Sequence, residues 1–125
     1  MNSIRMAEKY ARKVIESTYI GTCSVIEHQK YIKQNGSTGF QDVVVLEDQP
    51  CKLSFKNVSS ANNDEANSSI KQEIKLFVSP NVSIAPGSKI IVTQNDITIE
   101  YSRSGVSAMY ATHQEIVLEL FKGWS

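Results

Sequence analysis

The hydrophobic pattern of the chain changes once, at Gly21, and this change restricts the folds that the chain can adopt. Before Gly21, apolar residues recur at steps of three and four, which is typical of one face of an α-helix. After it, apolar and polar residues alternate in short runs, as in half-buried strands. The helical apolar positions are Ile4, Ala7, Tyr10, Ala11, Val14 and Ile15. Because 125 residues suit one domain, the pattern predicts a single domain with a helix over residues 2–18 and a β-domain over residues 19–125.

Short runs of period two predict strands joined by turns. The run Val43–Leu46 is continuous and β-branched, and we expect it to be covered on both faces. In the last strand one side is predicted to be core and the other to meet water or a partner. The core set is Ile116, Leu118 and Leu120, and the other set is Glu115, Val117 and Glu119. No helical pattern separates the runs, which argues against βαβ units. The predicted fold class is mainly β: a small antiparallel β-barrel or sandwich with an N-terminal amphipathic α-helix.

A long polar stretch, residues 57–69, interrupts the predicted strands. It holds 13 residues without one Lys or Arg. Loops of this length inside a compact domain are usually functional or disordered. Its candidate functional residues are Asn57, Ser59, Asn62, Asn63, Asp64, Glu65 and Asn67.

The charge balance gives the chain no general attraction to nucleic acid or to an anionic membrane, because 13 basic residues meet 13 acidic ones. Charged residues near the N-terminus argue against a secretory signal, and no apolar run reaches membrane-spanning length, so we expect a cytosolic protein without a membrane partner.

Cys23 and Cys51 lack the CxxC spacing of a metal or redox pair and are expected to be two buried thiols.

The sequence shows no group of residues that predicts catalysis. His28 and His113 are far apart in sequence, and the carboxylate pairs Asp64/Glu65 and Glu115/Glu119 are typical of solvated charge. The chain is therefore expected to be no enzyme, with no metal and no cofactor. The nearest candidates for phosphate contacts are the helix residues Arg5, Lys9, Arg12 and Lys13. Against nucleic-acid binding, the aromatic residues occupy mostly core-like positions and the long polar stretch is uncharged to acidic.

Both ends of the chain leave two interpretations open. A helix this short is marginal alone, so its apolar stripe must be buried against the β-domain or against a neighbouring subunit. A terminal Trp is held only if something buries it, so Trp124 either seals the barrel's own end or docks on a partner.

Residues 84–121 resemble the small neck proteins of tailed bacteriophages, called head-closure, stopper, collar or head-tail joining proteins, and their relatives in phage-tail-like particles. In that family a PGD-like turn, here Pro86-Gly87-Ser88, precedes a strand at Lys89–Val92. A hairpin, a Tyr-containing strand over 97–101 and an irregular segment over 102–112 follow, and His113-Gln114-Glu115 opens the last strand. The N-terminal helix and the segment VVVLEDQPCKLSF look like the subset found in phages and prophages of low-GC Gram-positive bacteria. Ser88 departs from the acid common in that turn, which puts one local turn interaction in doubt.

The resemblance implies a structural virion protein that forms a homo-oligomeric ring in the phage neck, closes the DNA exit channel and provides a surface for tail attachment. The implied partners are a portal or adaptor ring on the head side, tail-terminator or tail-tube proteins on the tail side, and DNA in transient, non-specific passage. The implied location is the host cytoplasm during assembly and then the virion. Residues 57–69 would line the channel or meet an adjoining ring. The candidate subunit-interface residues are Arg5, Lys9, Arg12, Lys13, Glu115, Glu119 and Trp124.

Two alternative functions remain. A tail-terminator or tail-completion protein of a phage or phage-tail-like particle shares the small size and the ring formation. A small non-viral β-barrel binding module would instead be a stable monomer with a concave apolar pocket.

Overall fold

The computed structural model describes residues 2–59 and 70–124. These contain one helix and seven strands in chain order. They are α1 (Asn2–Glu16), β1 (Gly21–Ile32), β2 (Thr38–Ser59), β3 (Ile70–Val78), β4 (Lys89–Gln94), β5 (Ile97–Arg103), β6 (Ala108–Met109) and β7 (Gln114–Leu120).

The strands form one antiparallel sheet that closes on itself. The sheet order is β3-β2-β1-β4-β5-β7-β6, and β3 also pairs with β7. Six strands therefore make a closed ring, and the two-residue β6 lies outside it as an edge piece beside β7. The predicted mainly β fold, with its antiparallel barrel and N-terminal helix, is confirmed.

The core lies inside this ring and explains why these segments are strands. Every ring strand contributes one or two buried apolar side chains at alternate positions, as the period of a strand requires. The buried set is Cys23, Val25, Cys51, Leu53, Leu76, Val78, Ile90, Val92, Tyr101, Ile116 and Leu118, with Ile84 from the β3–β4 connection. Tyr101 is the largest of these side chains and is only 1% exposed.

Strand β2 is 22 residues long and serves two neighbours in succession. Its first part pairs with β1 and its last part, from Cys51 onward, pairs with β3. The β1–β2 register shifts between Cys23 and Ile26, and Asp48 has a φ of 51° in the left-handed region. Such a bulge bends a strand and increases its twist, which lets β2 pass from one neighbour to the other.

Strands β1 and β2 continue beyond the barrel as a two-stranded arm. β1 pairs with β4 only over residues 21–26, whereas its pairing with β2 runs on to Ile32 and Thr38. We call residues 27–43 the arm. At its tip the Lys33 amide donates to the Ser37 carbonyl at 2.8 Å, and Gly36 has a φ of 85°, which glycine adopts without strain.

Three expectations from the sequence differ from the structure. Val44 and Val45 are 49% and 41% exposed, so the expectation that Val43–Leu46 is covered on both faces is wrong; this part of β2 has a sheet neighbour on one side only among the described residues. Leu120 is exposed rather than in the core, because it lies beyond Leu118, the last β7 residue that pairs with β3. Residues 57–59, placed in a loop by the sequence, extend β2 and pair with residues 70–72 of β3.

Helix α1 leaves most of its apolar stripe uncovered. Ala11 and Ile15 are half-buried, whereas the other stripe residues, Ile4, Ala7, Tyr10 and Val14, are exposed. The barrel of the same chain therefore covers only the end of the stripe that is nearest to β1.

Candidate functional site

An aromatic row runs along one face of the arm and connects it to the end of the chain. The ring of His28 on β1 stacks between Phe40 and Trp124, with centroid distances of 5.0 and 4.8 Å and interplanar angles of 6° and 13°. Phe121 meets Trp124 edge-on at 5.0 Å. His28 pairs with Asp42 in the β1–β2 register, and side chains two residues apart in a strand share a face. The register thus places Phe40 diagonally beside His28, within reach for aromatic contact.

Two charged side chains contact this row: Asp42 at the central ring, His28, and Lys89 at Phe121 and Trp124. His28 Nδ1 lies 2.8 Å from Asp42 Oδ1. Lys89 Nζ lies 4.7 Å from the centroid of Phe121 and 5.6 Å from that of Trp124, a geometry that attracts a cation to a ring face. Trp124 therefore packs on its own chain, between His28 of the arm and the barrel residues Lys89 and Phe121.

The aromatic row is one wall of an open cleft of about 520 Å³. The turn Pro86–Ser88 also lines the cleft. Its Gly87 has a φ of 84°, and Ser88 Oγ donates to the Ala85 carbonyl at 2.7 Å. Ser88, which stands where the resembling family often has an acid, thus closes the turn by a side-chain hydrogen bond to the backbone carbonyl of Ala85. Arg103 and the exposed Glu119 also line the cleft, and Arg103 donates to the carbonyls of Ile84 and Gly105.

A second cluster surrounds His113 at the start of β7. His113 Nε2 lies 2.9 Å from Glu115 Oε2, and Lys75 Nζ lies 3.4 Å from Glu115 Oε1. The hydrogen bond with His113 is the main cause that holds the pKa of Glu115 below its ordinary value, and Lys75 adds to it. The same carboxylate and Glu73 raise the pKa of Lys75. Tyr110 stacks on His113 at 4.8 Å. Glu115, a candidate interface residue, is thus bound within its own chain.

The basic residues of α1 lie at the opposite end of β1 from the arm. Arg5, Lys9 and Lys13 are exposed, whereas Arg12 is half-buried and its Nη2 donates to the Ala111 carbonyl at 2.9 Å. That contact ties α1 to the β6–β7 connection. The structure therefore separates the seven candidate interface residues into three places: the helix, the His113 cluster with Glu115, and the cleft with Glu119 and Trp124.

Of the candidate channel residues, Asn57 is exposed and Ser59 belongs to β2. Asn62, Asn63, Asp64, Glu65 and Asn67 lie outside the described residues. Their part in a channel stays a prediction.

The two cysteines are buried and free in the barrel core, as predicted. A hydrogen bond with Cys23 and burial both raise the pKa of the Cys51 thiol. A thiol in such surroundings behaves as a small apolar side chain rather than as a nucleophile.

Sequence reasoning missed three residues that organise these sites. Phe40 and Lys89 complete the aromatic row, and Gln114 is buried, with its Nε2 donating to the Ser79 carbonyl at 2.9 Å and to that of Val82. The alternation of Phe40, Asp42 and Val44 indicates a shared face, but no sequence signal shows that Trp124 returns to it.

Within residues 2–59 and 70–124, no group of three or more His, Cys, Asp or Glu side chains could hold a metal ion. No helix in these ranges is both long and apolar enough to cross a membrane.

Comparison with known proteins gives one distant structural likeness. No protein-family model and no curated protein matches the chain. Among solved structures, the chain is similar to the phage-like element PBSX protein xkdH from Bacillus subtilis, with 13% sequence identity and a TM-score of 0.48. The match covers 79% of this chain and 91% of that chain.

Proposed function

We propose that this chain is a structural, non-catalytic subunit of a homo-oligomeric ring in the neck of a tailed phage or prophage. The ring closes the DNA exit channel and offers a surface for tail attachment. The observation that carries the proposal is a small closed barrel that leaves most of a helix face and part of a two-stranded arm exposed.

Both uncovered elements need a partner on physical grounds. A 15-residue helix is marginal in water without tertiary packing, and α1 packs by only part of its apolar stripe. A two-stranded ribbon is likewise marginal until a third strand or a helix covers it. A monomeric binding module would keep both marginal elements exposed to water. In a subunit of an assembly, neighbouring subunits pack on them and stabilise them.

The resemblance of residues 84–121 to head-closure proteins supports a position of this ring in the neck. The turn Pro86–Ser88, which carries that resemblance, borders the cleft and leads into β4. The partners we propose are a portal or adaptor ring on the head side and tail-terminator or tail-tube proteins on the tail side. DNA passes through the ring without specific contacts, since the chain carries no excess of positive charge.

Deletion of the gene from the phage or prophage that encodes it tests this role. Without a neck ring, heads fill with DNA but do not retain it, and tails of normal length accumulate unjoined. Electron microscopy of the lysate and a DNA-protection assay measure both effects, with the wild-type gene supplied on a plasmid as the control. Tails of abnormal length would instead identify a tail terminator, and normal particles would contradict any role in the neck.

A further inference from the structure

The arm has two strand edges that no strand covers within residues 2–59 and 70–124. On the β1 side, the pairing with β4 ends at Ile26, so residues 27–32 pair with β2 alone among the described strands. On the β2 side, residues 38–43 pair with β1, and the pairing with β3 begins only at Cys51. An open strand edge presents a row of unpaired N–H and C=O groups with which another strand can pair.

The register of the arm shows which residues carry these groups. The Lys33 amide donates to the Ser37 carbonyl, so these two residues form a hydrogen-bonded pair. Hydrogen-bonded and non-hydrogen-bonded pairs alternate along an antiparallel ladder, and a non-hydrogen-bonded pair directs its N–H and C=O groups outward. Three pairs of the arm are of this second kind: Ile32 with Thr38, Lys30 with Phe40, and His28 with Asp42. The outward groups of β1 therefore lie level with those of β2.

Two arms placed side by side in the same direction match along these edges. β2 of one arm then lies antiparallel to β1 of the next, because β1 and β2 are antiparallel within each arm. Without any shift along the strands, the outward groups of Phe40 meet those of Lys30 in the next arm, and the outward groups on either side match in the same way. Each new pair repeats a cross-strand pair that the arm already contains, and none of them opposes two charges of like sign.

We propose that β2 in the arm of one copy of this chain pairs with β1 in the arm of a second copy. This contact deepens the proposed ring function and rests on it. A two-stranded ribbon needs a further strand for stability, and the level rows of groups on its two edges fit a second arm of the same sequence. Because the two edges differ, the contact is head-to-tail, and such a contact generates a ring if the rotation closes. Pairing of β2 with β2 would instead end at two copies and leave β1 uncovered.

Disulfide formation between single-cysteine variants of the full chain tests this contact. Residues of a hydrogen-bonded antiparallel pair have Cα atoms about 5.5 Å apart, a distance that a disulfide spans. Lys30→Cys and Phe40→Cys face each other across the proposed contact, and the native thiols are buried. Separate copies carry the two changes, because these residues also oppose each other within one arm. Under mild oxidation the mixture of both variants gives dimers on a non-reducing gel, whereas each variant alone stays monomeric.

Val44→Cys is the control for the register of this contact. It lies four residues from Phe40 on β2, about 13 Å away, so its mixture with Lys30→Cys gives no dimers. Equal dimer yields from the two mixtures would contradict the register, and dimers from one variant alone would show a contact between like edges. Absence of mixed dimers would overturn the proposal. If the gene deletion still produced unjoined heads and tails, these failures would concern the contact and not the neck role.

A backbone variant gives a second, independent measurement. Lys30→Pro removes one outward N–H group of β1 and keeps the hydrogen bonds inside the arm, because Lys30 belongs to a non-hydrogen-bonded pair. It should weaken self-association at least roughly tenfold in sedimentation analysis, since the missing donor and the proline ring both disfavour a neighbouring strand. Lys30→Ala keeps the N–H group and should associate as the wild type does. Hydrogen exchange over residues 38–43 checks that the arm stays paired in both variants, and equal association of the two would refute the proposal.

Discussion

Residues of one strand differ sharply in what their polar side chains do. On β7, Gln114 is buried and bonds to two carbonyls of the β3–β4 connection, whereas Glu119, five residues later, is exposed in the cleft. Between them, Glu115 is held by His113 and Lys75. The alternation of β7 predicts which residues face the core, but the pairing of Glu115 depends on His113, just before β7, and on Lys75 of β3.

The pairing of Glu115 makes stability depend on pH. Because its pKa is held below the ordinary value of 4.5, its ionised form stabilises the folded state. That contribution is complete above pH 4.5 and is lost as pH falls through the lower folded pKa. We expect Glu115→Gln to be less stable than wild type at neutral pH and the two to converge in acid. Urea unfolding at a series of pH values measures this, with Glu119→Gln as the control on the same strand. A constant difference between wild type and Glu115→Gln at every pH would contradict the assignment.

The arm is the element that the sequence describes least well. Its residues alternate in a way that predicts strands, but the alternation does not show that β1 loses its second neighbour after Ile26. The same is true of the helix. The apolar stripe of α1 predicts that one face is buried. A pattern shows that a face is apolar, but it does not show which element covers that face.

The stack of Trp124 on His28 is expected to hold the arm in place. An aromatic pair contributes about 1 kcal/mol beyond its buried area, so Trp124→Ala should speed amide exchange in the arm by roughly fivefold. Exchange in the barrel strands β4 and β5 should not change. Hydrogen exchange with mass spectrometry measures this, and Met109→Ala, which removes an exposed side chain from β6, is the matched control. Unchanged exchange over residues 27–43 would mean that the arm is held by other contacts.

The molecule as a whole combines a self-contained barrel with elements that extend beyond it. The barrel was predictable because each ring strand places alternate apolar residues inward, and this local rule is visible in the sequence. The length of β2 was not predictable, because a bulge at Asp48 carries the strand through a polar region where a turn is the simpler expectation. Residues of the closed core thus follow the local alternation of strands, whereas the bulge in β2 depends on how β2 pairs with β1.

If assembly covers α1 and the arm, the thermal stability of the full chain depends on its own concentration. A partner that binds only the folded state stabilises it by about 2.7 kcal/mol when the partner is present at one hundred times its dissociation constant. We therefore expect the melting temperature of the wild type to rise with concentration across the range in which light scattering detects oligomers. Phe40→Glu, which charges the exposed arm, should show a smaller rise, and Val106→Glu, at an 88% exposed side chain between β5 and β6, should follow the wild type. A wild-type melting temperature that stays constant while oligomers form would show that assembly stabilises neither element, and the reason for their exposure would then lie in a different partner.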